Sequence, residues 1–293
     1  MKQNVSPQQD LIKKNNPSKS LLGNIQQKLS QTSSSPYLDA LVLLGHISGK
    51  SKSDLLTHPS PDLTPEQNSQ LEDKIHQILA GIPLPYVLGN WEFYQLSFQL
   101  SPDVLIPRPE TEGLVEKALQ WLEDHPAKRK VLEVGTGSGC IAVSLAKNNP
   151  ELEIWASELS QQALDIARDN ARFHQVQDQI KFHKTHLLEG IKTKVDLLIA
   201  NLPYIPTKKL LSLSVFHTEP RLALDGGEDG LSLIRETLEA VPGILHPGGV
   251  ILLELDEDCG PSALILGKTL FPEATVNLDQ DLSGMDRYLV IQT

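Results

Sequence analysis

Strand-like and helix-like segments alternate along most of the chain, and this alternation restricts the possible folds more than any other feature of its 293 residues. The strand-like segments are short apolar runs at 130–134, 152–157, 179–184, 195–200 and 249–255. Strands separated by helices pair in parallel, because each connection must cross one face of the sheet. The sequence therefore predicts an α/β fold in which helices cover a mostly parallel sheet.

The C-terminal part of the chain predicts a different connection. Two further strand-like segments lie at 274–278 and 287–291, and no helical pattern separates them. Strands that are joined without a helix pair in the antiparallel direction. We therefore expect a seven-stranded sheet that ends in an antiparallel pair.

Three glycines connect the strand at 130–134 to an apolar helix, in the order Gly135-Thr136-Gly137-Ser138-Gly139. Glycine permits a sharp turn and lets backbone amides approach a ligand closely. Dinucleotide-binding folds space these glycines as G-x-G-x-x-G around a pyrophosphate, whereas the spacing here is G-x-G-x-G. The turn therefore fits S-adenosylmethionine, whose amino acid and ribose groups carry no phosphate. The alternative is a tight turn with a purely structural role.

An acidic residue, Glu158, ends the next strand along the chain. Because the carboxyl ends of parallel strands meet at one edge of a sheet, we expect this carboxylate beside the glycine turn. There it can accept hydrogen bonds from both hydroxyls of an adenosine ribose that lacks a 2′-phosphate. Glu158 is therefore a candidate cofactor ligand, and a solvated carboxylate at a strand end is the alternative.

The tetrapeptide Asn201-Leu202-Pro203-Tyr204 follows the strand at 195–200, at the end where open α/β sheets bind ligands. An amide nitrogen is a poor nucleophile because its lone pair is delocalised, so a methyl-transfer site must hold that nitrogen in line with the methyl group. The Asn201 side-chain oxygen and the Leu202 carbonyl can each accept one hydrogen of an NH₂ group. Tyr204 offers a flat face for a planar substrate, and Pro203 restricts Leu202 to extended conformations.

Over residues 36–293 the sequence resembles the protein N5-glutamine methyltransferases that modify peptide chain release factors. The resemblance rests on the segments 85–89, 106–112, 133–139, 201–205 and 219–227. The segment Ile106-Pro-Arg-Pro-Glu-Thr-Glu112 is the most specific, because many other methyltransferases share the glycine turn. The resemblance implies a class I S-adenosylmethionine-dependent methyltransferase fold, which is Rossmann-like, with a small N-terminal helical domain.

The resemblance also implies a substrate and a set of site residues. The substrate is the glutamine of the release factor Gly-Gly-Gln loop, methylated on its side-chain nitrogen. The implied catalytic residues are Asn201, Leu202, Pro203 and Tyr204. The cofactor is S-adenosyl-L-methionine, and the implied cofactor-binding residues are Gly135, Thr136, Gly137, Ser138, Gly139, Glu158, His186, Leu187 and Asn201. We expect no metal site.

Two positions depart from the family pattern. Leu202 stands where the family usually has the first proline of Asn-Pro-Pro-Tyr, and His186 stands where it commonly has an aspartate near the adenine. Asn-Leu-Pro-Tyr also resembles the motif of ribosomal RNA adenine dimethyltransferases, so an N6-adenine methyltransferase acting on RNA is an alternative. A binding protein that has kept the methyltransferase fold and lost catalysis is another.

The composition bears on the partners of the protein. The net charge of −11 opposes tight, sequence-independent binding to nucleic acid phosphates and suits a basic loop region of a protein partner. No apolar run is long enough to span a membrane or to act as a signal sequence. We therefore expect a cytoplasmic monomer that acts on release factors, with no stable nucleic acid partner and no membrane attachment. Two cysteines exclude a disulfide scaffold.

Changes of pattern divide the chain into four parts. Polar residues dominate residues 1–35, which predict a flexible N-terminal tail. Residues 36–88 show helical spacing and a capping box at Thr64, and we expect them to form a substrate-recognition domain. Residues 89–110 predict a β-hairpin linker, and residues 111–293 predict the catalytic domain.

Overall fold

The computed structural model describes residues 20–293, which form two compact units. We call residues 20–89 the helical unit and residues 90–293 the sheet unit, because the contacts divide between Gly89 and Asn90. None of the helices in residues 20–293 combines the length and the apolar character needed to span a bilayer.

The helical unit contains five helices: α1 (Leu21–Leu29), α2 (Pro36–Ser48), α3 (Lys52–Thr57), α4 (Pro65–Leu79) and α5 (Leu84–Leu88). The capping box predicted at Thr64 is present, because the Thr64 hydroxyl accepts the N–H of Gln67 and the Gln67 side chain accepts the N–H of Thr64. The buried core of this unit is mostly leucine and isoleucine, spaced so that each helix buries one face.

The flexible tail predicted for residues 1–35 is wrong in its C-terminal part, where α1 forms. The Ser20 hydroxyl caps this helix by accepting the N–H of Gly23. Its three buried side chains share one face: Leu22, Ile25 and Leu29. The many polar residues of α1 occupy the other faces, so composition concealed an amphipathic helix. Residues 1–19 of the predicted tail lie outside the described residues.

The predicted hairpin forms from β1 (Asn90–Phe93) and β2 (Leu96–Gln99), which pair antiparallel. It is part of the sheet unit and not a linker. Phe93 and Phe98 are fully buried in the same core cluster as residues of the main sheet. Asn170 also holds β2, because its side chain accepts the N–H of Gln99 at 2.8 Å and donates to the Gln99 carbonyl at 3.1 Å.

The main sheet has the seven strands and the mixed direction that the sequence predicts. Its strands are β3 (Lys130–Val134), β4 (Glu153–Glu158), β5 (Ile180–Lys184), β6 (Val195–Ala200), β7 (Leu245–Glu254), β8 (Thr275–Gln280) and β9 (Asp286–Gln292). The order is β5-β4-β3-β6-β7-β9-β8. Strands β3 to β7 pair in parallel, and β9 pairs antiparallel with both β7 and β8.

Helices cover both faces of this sheet. They are α6 (Pro109–Asp124), α7 (Cys140–Asn148), α8 (Gln161–Phe173), α9 (Thr207–Leu210), α10 (Ser232–Ala240) and α11 (Gly260–Leu270). One core cluster contains residues of α6, α7 and α8, and a second contains residues of α10 and α11. The chain runs outward from β3 to β5 and returns to β6, so the direction of winding changes between β3 and β6. Such a switch point opens a crevice at the carboxyl ends of the strands.

A buried carboxyl group, Glu133 in β3, holds the turn that opens this crevice. Its Oε2 atom accepts the hydroxyl of Thr136 at 2.5 Å and the N–H of Ala142 in α7 at 3.1 Å. The strand, the turn and the helix are thereby tied to one side chain. Burial raises the pKa of Glu133 to about 8, and the hydrogen bonds of Thr136 and Ala142 oppose that rise.

The raised pKa of Glu133 makes the stability of the protein depend on pH. Between 4.5 and about 8, an unfolded chain releases this proton while the folded chain keeps it. The free energy of unfolding therefore falls as pH rises, by up to about 1.4 kcal/mol per pH unit from this group. Glu133→Gln resembles the protonated acid, so we expect a flatter pH dependence in denaturant titrations of this variant. Equal slopes for the wild type and the variant would contradict this assignment.

Candidate active site

A cavity of about 110 Å³ lies at the carboxyl ends of β3, β4, β5 and β6. Residues at the ends of these four strands line it, together with Leu222 and with Leu233 of α10: Gly135, Ser157, Glu158, Leu159, Thr185, His186, Leu187, Asn201, Leu202 and Pro203. Seven of the predicted site residues meet here. None of these lining residues is lysine or arginine, so the cavity suits a ligand without phosphate.

In residues 20–293 no group of three or more His, Cys, Asp or Glu side chains could hold a metal ion.

The glycine turn has the backbone conformation that its sequence requires. Gly135, Gly137 and Gly139 have φ values of 73°, 53° and 80°, which side-chain-bearing residues rarely adopt. A Cβ atom on Gly139 would lie 3.1 Å from the Cβ of Ala167 in α8. Gly139 is therefore fixed by conformation and by close packing, and Gly135 is the one glycine of the three that lines the cavity.

The other residues of the turn face the protein. Thr136 is buried and gives its hydroxyl to Glu133. Ser138 is also buried, and its carbonyl accepts a hydrogen bond from Asn170 at 2.9 Å. The Thr136 side chain and the Ser138 carbonyl are thus used within the protein, so the backbone amides of the turn are the groups available to a ligand.

Glu158 lies at the end of β4 beside the glycine turn, as the sequence predicts. Its Oε2 accepts the N–H of Gly137 and its Oε1 accepts the N–H of Ser160, both at 2.9 Å. These backbone bonds fix the orientation of the carboxylate. Each oxygen keeps a second lone pair for a hydroxyl, so the cavity fits the ribose of an adenosine cofactor.

His186, predicted near the adenine, and Leu187, predicted to bind the cofactor, also line the cavity. The Nε2 atom of His186 lies 2.9 Å from Oε1 of Glu236 in α10, which orients the imidazole ring. Leu187 has a φ of 45°, an uncommon value for a branched side chain, so the loop after β5 is held in a tight local turn.

Asn201 leaves the end of β6 and is held by a residue that the sequence analysis did not select. Its Nδ2 atom donates to Oγ1 of Thr111, at the start of α6, at 2.9 Å. Thr111 is buried. Since the amide has one donor end and one acceptor end, this bond leaves Oδ1 of Asn201 for the cavity.

Tyr204 follows two residues after Leu202 but does not line the cavity. Its hydroxyl donates to Oε1 of Glu254, the last residue of β7, at 3.2 Å. Burial raises the pKa of Glu254 to about 7, while Thr111, Tyr204 and the charge of Arg287 lower it. Burial also raises the pKa of the Tyr204 hydroxyl, which therefore stays protonated.

A segment about 20 residues further along the chain fixes the loop around Tyr204. Ile205 bridges to the segment 224–226, because its N–H donates to the Leu224 carbonyl and its carbonyl accepts the N–H of Gly226. A Cβ atom on Gly226 would lie 2.7 Å from the backbone of Tyr204, so glycine is needed there.

An ion pair with one buried partner, Glu219, joins the same region to the segment before α6. Glu219 accepts the N–H of Ile106 at 3.1 Å and pairs with Arg108. The segments 106–112 and 219–227 therefore belong to one structure around the cavity. Both segments stand out in the sequence, but nothing in their spacing indicates that Glu219 connects them.

Comparisons with known proteins agree with this architecture. Residues 20–89 match the family model described as the PrmC N-terminal domain, and residues 115–252 match the Methyltransferase small domain. Among solved structures, the hMettl16 catalytic domain in complex with a 3′UTR hairpin has a TM-score of 0.52 and 17% identity, covering 78% of this chain and 82% of that chain. At this identity the likeness shows the fold alone.

Two relatives illustrate the similarity in sequence. The release factor glutamine methyltransferase of Moorella thermoacetica is 37% identical over 254 residues, covering 86% of this chain and 89% of that protein. The protein of the same name from Coxiella burnetii is 37% identical over 268 residues, covering 91% and 95%. These matches confirm the resemblance found in the sequence, and the chain belongs to the release factor glutamine methyltransferase family.

Proposed function

We propose that this protein methylates the side-chain nitrogen of the glutamine in the Gly-Gly-Gln loop of peptide chain release factors, using S-adenosyl-L-methionine. The observation that carries the proposal is the orientation of Asn201. Its Nδ2 atom is bound to Thr111, and its Oδ1 atom has no hydrogen-bond partner within residues 20–293. An acceptor held in this way suits a substrate that brings an NH₂ group.

The residues around the cavity can hold the cofactor. Glu158 accepts the ribose hydroxyls, the backbone of the turn at Gly135 contacts the amino acid portion, and His186 and Leu187 flank the adenine. When bound, S-adenosylmethionine supplies an electrophilic methyl group on a sulfonium centre. The absence of lysine and arginine among the lining residues supports this choice over a phosphate-bearing cofactor.

The residues of the tetrapeptide orient the glutamine amide. Asn201 Oδ1 accepts one hydrogen of the NH₂ group and the Leu202 carbonyl accepts the other. Both bonds strengthen as positive charge develops on the nitrogen, so they lower the barrier to methyl transfer. Tyr204 does not line the cavity, and the packing of its half-buried ring against the planar amide is part of this proposal. The nitrogen releases its extra proton to solvent after transfer, and no general base is required.

The helical unit is our proposed substrate-recognition domain. Residues 20–89 match a family model that is separate from the one matched by the sheet unit. This match supports a role for the helical unit that is shared by the family. The net charge of −11 suits a partner with a basic loop region, and it opposes RNA as the substrate. The protein partner is therefore the better candidate than the RNA suggested by Asn-Leu-Pro-Tyr.

The direct test is to incubate the protein with a release factor and labelled S-adenosylmethionine. We expect one methyl group on the glutamine of the Gly-Gly-Gln loop, located by mass spectrometry of the digested release factor. A release factor carrying asparagine in place of that glutamine is the control and should stay unlabelled. Label in added ribosomal RNA, with none in the release factor, would assign the protein to the RNA methyltransferases.

Asn201→Ala tests the orienting side chain. We expect kcat to fall by about 100- to 1000-fold, as for the loss of one transition-state hydrogen bond in a preorganised site. The Kd for S-adenosylmethionine, measured by calorimetry, should change little. Asn277→Ala, on the exposed side of β8, is the matched control. A variant at Asn201 with near wild-type turnover would remove the orienting role.

Glu158→Ala tests the ribose ligand. Loss of a carboxylate that accepts two hydroxyls should weaken S-adenosylmethionine binding by about 10- to 100-fold. Glu153→Ala removes an exposed carboxylate from the other end of the same strand and should leave the Kd unchanged. Equal affinities of the two variants would show that Glu158 is only a strand-end carboxylate.

A further inference from the structure

Two hydrogen bonds lead from the candidate site toward the interior of the sheet unit. Asn201 donates to the hydroxyl of the buried Thr111, and the hydroxyl of Tyr204 donates to Oε1 of the buried Glu254. Resting on the proposed function, we propose that Thr111 and Glu254 are positioning residues that fix which end of the Asn201 amide faces the substrate nitrogen.

The orientation of the Asn201 amide matters because its two ends have opposite hydrogen-bonding character. The oxygen accepts, whereas the NH₂ group only donates. A substrate NH₂ group that met the Asn201 NH₂ group would face a second donor and gain no stabilisation. Correct orientation is therefore a condition for the transition-state hydrogen bond, and a 180° rotation of the amide would remove it.

Thr111 alone cannot set this orientation, since a hydroxyl both donates and accepts. Its Oγ1 accepts the hydrogen of Nδ2 of Asn201 only if the hydroxyl hydrogen of Thr111 points away from Asn201. In our proposal that hydrogen points toward the carboxylate of Glu254. The Glu254 Oε2 atom is buried and has no hydrogen-bond partner within residues 20–293. The hydroxyl hydrogen of Thr111 has no acceptor among the same residues, and Thr111 lowers the pKa of this carboxyl group, as a hydrogen-bond donor does.

An ionised Glu254 accepts hydrogen bonds and cannot donate them. It therefore draws the hydroxyl hydrogens of both Tyr204 and Thr111. With its hydrogen turned toward Glu254, Thr111 presents a lone pair to Asn201, and the bonds run in one direction from Asn201 through Thr111 to the carboxylate. A protonated Glu254 can donate to Thr111 instead, and the Thr111 hydrogen is then free to turn toward Asn201.

Several charged or titratable groups face Glu254. Arg287 lowers its pKa and Glu110 raises it, while Tyr204 and Tyr288 both have raised pKa values and stay protonated. Desolvation raises the pKa of the Cys140 thiol, and the charges of Glu133 and Glu254 add to this rise. These surroundings, with a Glu254 pKa of about 7, predict that kcat falls as pH decreases through 7.

Replacing Thr111 separates positioning from folding and binding. Thr111→Val keeps the shape and removes the hydroxyl, and we expect kcat to fall about tenfold or more, with KM for the release factor and Kd for the cofactor within about twofold of wild type. Thr111→Ser should restore most of the activity. Thr237→Val is the control, because Thr237 is also buried and its hydroxyl has no partner within residues 20–293. Wild-type kcat in Thr111→Val, or equal losses in the Val and Ser variants, would overturn the proposal.

A second measurement reads the Asn201 amide without any substrate. In protein labelled with ¹⁵N-asparagine, the side-chain NH₂ signals of Asn201 are identified by their loss in Asn201→Ala. We expect these signals to move with pH around 7 in the wild type, to lose that dependence in Glu254→Gln and to shift in Thr111→Val. Signals that ignore pH in the wild type would overturn the proposal.

The two measurements distinguish the failure of this proposal from the failure of the proposed function. A wild-type protein that leaves release factors unmethylated refutes the substrate assignment, and the NMR titration still decides whether Glu254 and Thr111 orient Asn201. A wild type that methylates release factors, with unchanged kcat in Thr111→Val, refutes the positioning role alone.

Discussion

Buried carboxyl groups hold the loops at the carboxyl edge of the sheet, and the geometry of the candidate site depends on them. Glu133 ties the glycine turn to α7, Glu219 ties the segment before α6 to the segment 219–227, and Glu254 accepts the hydroxyl of Tyr204. The donors to Glu219 and Glu254 are distant in the sequence, whereas those to Glu133 lie within the next nine residues. Loops alone could not keep this order, because short irregular segments bury too little apolar surface to fix their conformation.

The hydrogen bonds around Glu133 and Glu254 differ in which carboxyl oxygen they occupy, and this decides what a proton on each group disturbs. Both bonds to Glu133 fall on Oε2, so the acid can carry a proton on Oε1 without losing either of them. Glu254 instead accepts the hydroxyl of Tyr204 on Oε1, and its buried Oε2 has no partner within residues 20–293. A proton on Oε2 would occupy the position that our proposal assigns to the Thr111 hydrogen. Burial raises the pKa of both groups, but only at Glu254 does the proton change a bond next to the candidate catalytic side chain.

Much of this structure can be predicted from sequence because the signals are local. The apolar runs predicted both ends of β3 and of β6 correctly. A motif that follows a buried parallel strand lies at the edge of the sheet where ligands bind. The pairing of Asn201 with Thr111 could not be predicted, since the two residues are 90 positions apart and no spacing rule relates them. The short helix α1 was missed for another reason: its three buried side chains are outnumbered by polar residues, so composition outweighed periodicity.

Leu202 shows how a departure from a family pattern can preserve a constraint. A proline at this position would restrict the loop through its ring. Leucine lacks the ring, but its side chain is buried. A Cβ atom added to Gly135 would lie 3.2 Å from the Cδ2 atom of Leu202, so the two residues pack closely. Packing therefore replaces part of the covalent restraint. It also couples the loop that we propose to orient the substrate to the turn that we propose to bind the cofactor, so neither can shift without disturbing the other.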